Sequence, residues 1–261
     1  MSFSYSKVSC FNSCPYHYKL SYIDKLRTKF DEKPTNALCL GTAVHEGIEN
    51  GSLDKAIESY KSNYSIWDDN NDIEVYKLEK IVPKAIEQIP KGEYEYKLLD
   101  DDGFVGYIDL LVKIDDNTYD LYDFKYSNNV SGYRSSGQIH IYKYYYEKLT
   151  GNKIRKMYYA MIPKCPNKLE EDLSVEDVRS KIDKYLDKRD IKFEEIEFDP
   201  MQVRYFFARK TLMEKAVSYE KRYSTTCMWC EFQKYCKSNG RDRSELDEPQ
   251  EEVQLFSAID V

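Results

Sequence analysis

The 261-residue chain carries a net charge of −7 and is 41% apolar and 33% charged, a composition suited to a soluble globular protein of one large domain or two small ones. No stretch reads as a membrane span, and the opening MSFSYSKVSCFNSCPY lacks the long apolar run of a signal peptide, so the sequence predicts a cytoplasmic protein. Its acidity excludes little. Residues 241–261 hold seven acids and two bases, −5 of the total, which leaves the body near −2 and free to present a local basic groove to a phosphate-rich substrate.

In chain order, Ser4 to Leu26 reads as a short lead and then a helix that begins near Pro15, with Cys14 at its N-terminal end. Asn36 to Glu49 is a second helix with Leu40, Val44 and Ile48 as its apolar stripe. His45 flanks that stripe, where a lone histidine is more often a core residue than a ligand. Leu53 to Tyr64 and Asp72 to Gln88 are further helices separated by a polar turn, Trp67 to Asn71. Glu93 to Leu99 is a strand that brings Glu95 near the hairpin of residues 104–126.

The most informative stretch is Phe104 to Ser127. Two β-rich runs, Phe104 to Ile114 and Thr118 to Tyr126, flank Asp115-Asp116-Asn117 and form a hairpin signal. With that three-residue loop, paired positions sum to 232, so Asp109 is expected opposite Asp123 and Lys125 on the same face. The other face, including Phe104, Ile108, Leu110, Val112, Ile114, Tyr122, Phe124 and Tyr126, is expected to be core. Opposed carboxylates are destabilising and costly to bury unless a cation compensates, and a hard divalent ion would.

Beyond the hairpin, Asn128 to Gly137 reads as a loop and Gln138 to Leu149 as a helix with Gln138 and Tyr142 on one face. A strand from Lys153 to Pro163, a loop, a helix from Ser174 to Asp187 and an edge strand from Ile191 to Phe198 complete this part of the chain. A long helix then runs from Pro200 to about Tyr223, and Arg204, Arg209, Lys210, Lys215, Lys221 and Arg222 lie along it as a solvated face or a track for a nucleic-acid backbone. It leads to Cys227-x2-Cys230-x5-Cys236, three thiols too compact to be idle. Cys14 or Cys10 can supply a fourth, making a site for zinc or an iron–sulfur cluster.

With these motifs together, the sequence resembles the RecB-like branch of the PD-(D/E)XK nucleases, especially CRISPR-associated exonucleases and AddB-type nuclease domains with an iron–sulfur staple. The residues that carry the resemblance are Gly41 to His45, Gly106-Tyr107-Ile108-Asp109, Asp123-Phe124-Lys125, Gln138 to Tyr142, and Cys14 with Cys227, Cys230 and Cys236. Asp109 departs from the pattern in lacking the preceding proline, and Cys10 leaves the fourth thiol open.

The resemblance implies an α/β fold, a central mixed β-sheet flanked by helices like a restriction-endonuclease core. A single nuclease domain would span residues 1–240, its core at about 34–165, with an acidic flexible tail at 241–261. N- and C-terminal helical parts would be joined by a 4Fe-4S cluster on Cys14, Cys227, Cys230 and Cys236. It further implies Mg²⁺ or Mn²⁺ held by His45, Asp109 and Asp123, with Lys125, Gln138 and Tyr142 as catalytic residues. The expected substrate is DNA, single-stranded or with free ends, and the expected activity exonucleolytic. A helicase, an integrase or, through Gln254-Leu255-Phe256, a sliding clamp are candidate partners. The rival readings are a non-catalytic DNA-binding or assembly subunit and an RNA-directed nuclease.

Overall fold

The computed structural model describes residues 2–29, 33–170 and 172–247, so the Gln254 to Phe256 peptide lies outside the described residues. The chain divides into two compact units, one of residues 1–5 and 31–208 and one of residues 6–30 and 209–261.

The larger unit begins with three helices, α3 (Ala37–Glu49), α4 (Leu53–Lys61) and α5 (Asp69–Gln88), which come after α1 (Tyr5–Ser13) and α2 (Pro15–Tyr18) in the chain. The Asn36 carboxamide oxygen caps α3 by accepting from Leu38 and Cys39 N–H groups. Leu40, Val44 and Ile48 are almost wholly buried, as their spacing predicts. Helix α5 starts earlier than the periodicity suggests, because Asp68 and Asn71 form a reciprocal capping box. Most of the expected polar turn is thus its first turn.

A five-stranded sheet comes next, in the order β1 (Glu93–Leu99), β2 (Val105–Lys113), β3 (Thr118–Tyr126), β4 (Lys153–Ile162) and β5 (Lys192–Ile196). Only β3 and β4 are parallel, which makes the sheet mixed; the connection between them carries α6 (Val130–Arg134) and α7 (Gln138–Thr150). The hairpin register sums to 232 from Lys113↔Tyr119 to Leu110↔Tyr122, and the Asp115 carboxylate accepts from Asn117 N–H inside the three-residue loop.

Helices cover both faces. Leu110, Tyr122, Phe124, Ala160 and Ile162 pack with α3, α4, α5 and α8 (Val175–Leu186) in one core. On the other face Leu111, Leu121 and Tyr159 are also buried, and Tyr145 of α7 stacks on Phe104 at 3.7 Å between ring centroids. The hairpin therefore has two apolar faces rather than one, and Ile114, expected in the core, is 41% exposed at its tip.

Gly106 shows why the strand carries a glycine there: a Cβ would lie 3.0 Å from Tyr142 and 3.1 Å from Phe104. In α3, a Cβ on Gly47 would stand 2.7 Å from Val82 and 2.8 Å from Ala56, so this glycine lets three helices close on one another.

In the smaller unit, residues 6–29 and 209–247 are brought together by backbone hydrogen bonds and a small apolar centre. The segment expected to lead into a helix is already helical as α1, and Cys14, with extended backbone, separates it from α2. Tyr16 N–H donates to the Glu220 carbonyl, Lys29 N–H to that of Glu245, and Asp247 N–H to that of Arg27. Leu20, Phe232 and Leu246 form its buried centre. The long helix α9 (Pro200–Glu214) ends before Tyr223, so Lys215, Lys221 and Arg222 are not on it. Lys221 instead bonds the Cys236 carbonyl and Asn239, Arg222 bonds the Asn12 carbonyl, and Lys210 pairs with Glu214. That accounts for four of the six cations expected along one helical track.

Candidate active site

Asp109 stands where the sheet stops hydrogen-bonding on both sides. The β2–β3 ladder ends at Leu110↔Tyr122, one step short of Asp109 and Asp123, and the β1–β2 ladder passes from Tyr94↔Leu110 to Tyr96↔Ile108 without a pair at Glu95 and Asp109. Glu95 has a φ of 51°, a left-handed conformation that costs a residue with a Cβ about 1–2 kcal/mol. The opening is filled by a side chain: Phe124 N–H donates to Asp109 Oδ2 at 2.6 Å.

The same residue holds His45. Its Nε2 lies 3.2 Å from the Phe124 carbonyl oxygen, which can only accept, so the bond assigns the proton to Nε2 and leaves the Nδ1 lone pair free. Nδ1 faces Asp109 Oδ1 at 3.8 Å, too far for a hydrogen bond but close enough for two bonds of about 2.1 Å to one cation. Burial lowers the His45 pKa, which favours the neutral, ligating imidazole.

Asp123 and Lys125 form the second half. Asp123 is 1% exposed, and its carboxylate is ion-paired with the Lys125 ammonium. Burial works against that ammonium, but Asp123 and Asp109 outweigh it and raise its pKa. Lys125 Nζ also donates to Gln138 Oε1 at 3.3 Å, and Gln138 Nε2 donates to the Tyr142 hydroxyl at 2.9 Å. The first turn of α7 thereby fixes the lysine head. Burial, then the Asp123 charge, push Asp109 up to about 8. Asp109 thus sits in a buried place with too little positive charge nearby to ionise it comfortably.

Of the six side chains expected at the site, His45 faces Asp109, and Asp123, Lys125, Gln138 and Tyr142 form a bonded run beside them, but among the described residues Asp123 does not come within 4.8 Å of both His45 and Asp109. Glu95 joins the first pair, since ligand atoms of His45, Glu95 and Asp109 all lie within 4.8 Å of one another. The rings of Tyr133 and Tyr159 flank Lys125, 5.4 and 5.7 Å from its Nζ. Tyr159 is legible afterwards as the β4 partner of Asp123, whereas Tyr133 sits on the short helix α6 in a stretch that reads as loop.

In the smaller unit, Cys14, Cys227, Cys230 and Cys236 share one neighbourhood. Burial raises the Cys236 pKa, with Cys230, Cys14 and Cys227 adding to it against Lys221. Backbone N–H groups point at the sulfurs, Arg222 N at Cys14 Sγ and Ser224 N at Cys227 Sγ, each at 3.5 Å. A bond from His17 holds the Cys230 thiol below its usual range. Among the described residues no three of these sulfurs come within 4.8 Å of one another, so they are spread more widely than a single zinc ion with bonds of about 2.3 Å would hold them. Cys10, the other candidate, is pushed up to about 12 by burial and by Cys14, Glu231 and Cys230. Cys39 and Cys165 are buried in the larger core.

Among the described residues no helix is long and apolar enough to cross a membrane. No curated protein matches the sequence. Among solved structures the chain is similar to a protein of Eubacterium rectale provisionally named an exonuclease, with 14% identity and a TM-score of 0.55 over 99% of this chain and 94% of that one. At that identity the likeness shows the fold. The sequence also matches the PD-(D/E)XK nuclease superfamily across residues 2–237, a span that takes in every side chain of the site and all seven cysteines. By that match the chain belongs to the PD-(D/E)XK nuclease superfamily.

Proposed function

We propose that the protein is a Mg²⁺- or Mn²⁺-dependent deoxyribonuclease of the RecB-like branch that hydrolyses phosphodiester bonds from free DNA ends, with His45, Asp109 and Asp123 holding the ion. The observation that carries this reading is the double use of Phe124, whose N–H holds Asp109 and whose carbonyl holds His45, one residue from both Asp123 and Lys125. The donor set fits a hard cation: carboxylate oxygens, a neutral imidazole, and a buried pair of acids whose mutual repulsion the ion would relieve. When bound, such an ion polarises phosphoryl oxygens and makes a nucleophilic water available near neutral pH.

The chain's own residues supply the rest. Lys125 presents its ammonium to charge developing on the phosphate, where one such group is commonly worth about 10²–10³ in rate. Asp123 and Gln138 aim it, and Tyr142 fixes the rotamer of Gln138. Exonucleolytic action draws support from the name of the Eubacterium rectale neighbour. The four gathered cysteines, with their N–H···S contacts, support a 4Fe-4S cluster that holds the chain ends together in a structural role.

End-labelled single- and double-stranded DNA and RNA, incubated with Mg²⁺, Mn²⁺ or EDTA, test the proposal. Release of label from DNA ends with either metal is the expected result. An inert protein that still binds DNA would favour the assembly-subunit reading, and preferential loss of RNA would favour the RNA-directed one.

A further inference from the structure

We infer that Glu95 is a protein ligand of the divalent cation, aimed into the site from β1 beside His45 and Asp109. The inference rests on the metal-dependent reading above and adds to it a residue that none of the sequence motifs includes. Three observations carry it. The ligand atoms of His45, Glu95 and Asp109 form the one such cluster among the described residues, all within 4.8 Å of one another. The hydrogen-bond ladder between β1 and β2 lapses at Glu95 and Asp109 and resumes on both sides, so the break belongs to this position and not to a frayed strand end. Glu95 holds a left-handed φ of 51° inside a strand, a strained conformation for a residue with a Cβ.

The electrostatic surroundings agree. Asp109 from β2 and Glu46 and Glu49 from α3 surround the Glu95 carboxyl, with His45 beside it. A carboxylate in a strained backbone conformation among three other carboxylates is a poor choice for stability alone. A cation bound at this point offsets both costs. Asp123, by contrast, already has Lys125 as its counter-charge. The site therefore has two carboxylate sides that share Asp109: one faces Glu95 and His45, the other faces Asp123 and Lys125.

The test is Mn²⁺ affinity of the full-length protein, measured by electron paramagnetic resonance of the free ion, together with the thermal midpoint of the metal-free protein. Four variants are compared with the wild type: Glu95→Gln, Glu95→Gly, Glu95→Asp and Asp109→Asn. The expected result is that Glu95→Gln and Glu95→Gly weaken Mn²⁺ binding by about 10–100-fold. The metal-free midpoint of Glu95→Gly should equal or exceed that of the wild type, because glycine adopts this φ without strain. Glu95→Asp, which keeps the charge but withdraws it by one methylene, should bind more weakly than the wild type.

Wild-type affinity in Glu95→Asp with weakened binding in Glu95→Gln would mean that charge alone matters, and would overturn the assignment. So would wild-type affinity in both Glu95→Gln and Glu95→Gly while Asp109→Asn loses the ion; the metal site itself would then stand. If Asp109→Asn also binds Mn²⁺ as the wild type does, the metal-dependent reading fails, and this inference fails with it.

Discussion

His45 Nδ1 and Asp109 Oδ1 face each other across 3.8 Å, with the histidine proton on the far nitrogen, where it bonds the Phe124 carbonyl. With neither the Asp109 proton nor a cation between them, two lone-pair atoms held that close repel. The arrangement comes from the backbone, since Phe124 also holds the Asp109 carboxylate. Replacing His45 by Asn should therefore lower Mn²⁺ affinity by roughly 10-fold or more, with little change in the fold. Isothermal titration of the two proteins checks it; equal affinities would remove His45 from the site.

Asp109→Ala, Asp123→Ala and Lys125→Ala should each abolish cleavage, but they should differ in stability. Lys125→Ala leaves Asp123, 1% exposed, without its counter-charge. Breaking such a pair costs about 3–5 kcal/mol, which Mg²⁺ should partly restore in the variant. Unfolding by urea with and without Mg²⁺ measures the difference. A Lys125→Ala protein as stable as the wild type in EDTA would show that Asp123 is not charged in the metal-free fold.

A second buried pair offers a control away from the chemistry. Glu74 and Lys77 lie on α5 with 3% and 4% of their side chains exposed, 2.6 Å apart. Glu74→Ala should destabilise by about 3–5 kcal/mol, whereas the apolar double variant Glu74→Leu/Lys77→Met should be close to neutral. Denaturant midpoints for the two proteins decide it, and equal destabilisation in both would contradict the account.

Packing at α3 gives a third comparison. Gly47→Val drives side-chain atoms into Val82 and Ala56 and should cost about 1–3 kcal/mol. Because α3 carries His45, cleavage should fall further than the loss of stability explains. At Gly41 nothing lies within 4 Å of where a Cβ would stand, so Gly41→Ala should gain about 0.5–1 kcal/mol from helix propensity. Thermal midpoints and cleavage rates measured together would contradict this if Gly47→Val proved neutral in both.

What the sequence disclosed obeyed short-range rules. Period-two alternation and the Asp115 to Asn117 turn set the hairpin register, and i, i+4 spacing put Leu40, Val44 and Ile48 on one buried face. What it hid depends on long-range geometry. Leu111 and Leu121 alternate in step with Asp109 and Asp123 yet are buried, and α7, from beyond the hairpin, packs against β1, β2 and β4. The φ of Glu95 and the lapse of the ladder beside it leave no trace in a strand of ordinary composition, so Glu95 read only as a neighbour. α9 ends at Glu214, and beyond it Lys221 and Arg222 bond carbonyl oxygens that lie far away in the sequence or in the cysteine knuckle.

The central claim is that a divalent cation at Asp109 drives DNA cleavage. Its most direct test is the rate of end-labelled DNA digestion against Mn²⁺ concentration, for the wild type and for Asp109→Asn, after both have been stripped with EDTA. The account predicts no cleavage by either protein without metal, saturable recovery in the wild type, and none in Asp109→Asn at any concentration. Cleavage by the stripped wild type, or full recovery in Asp109→Asn, would contradict it.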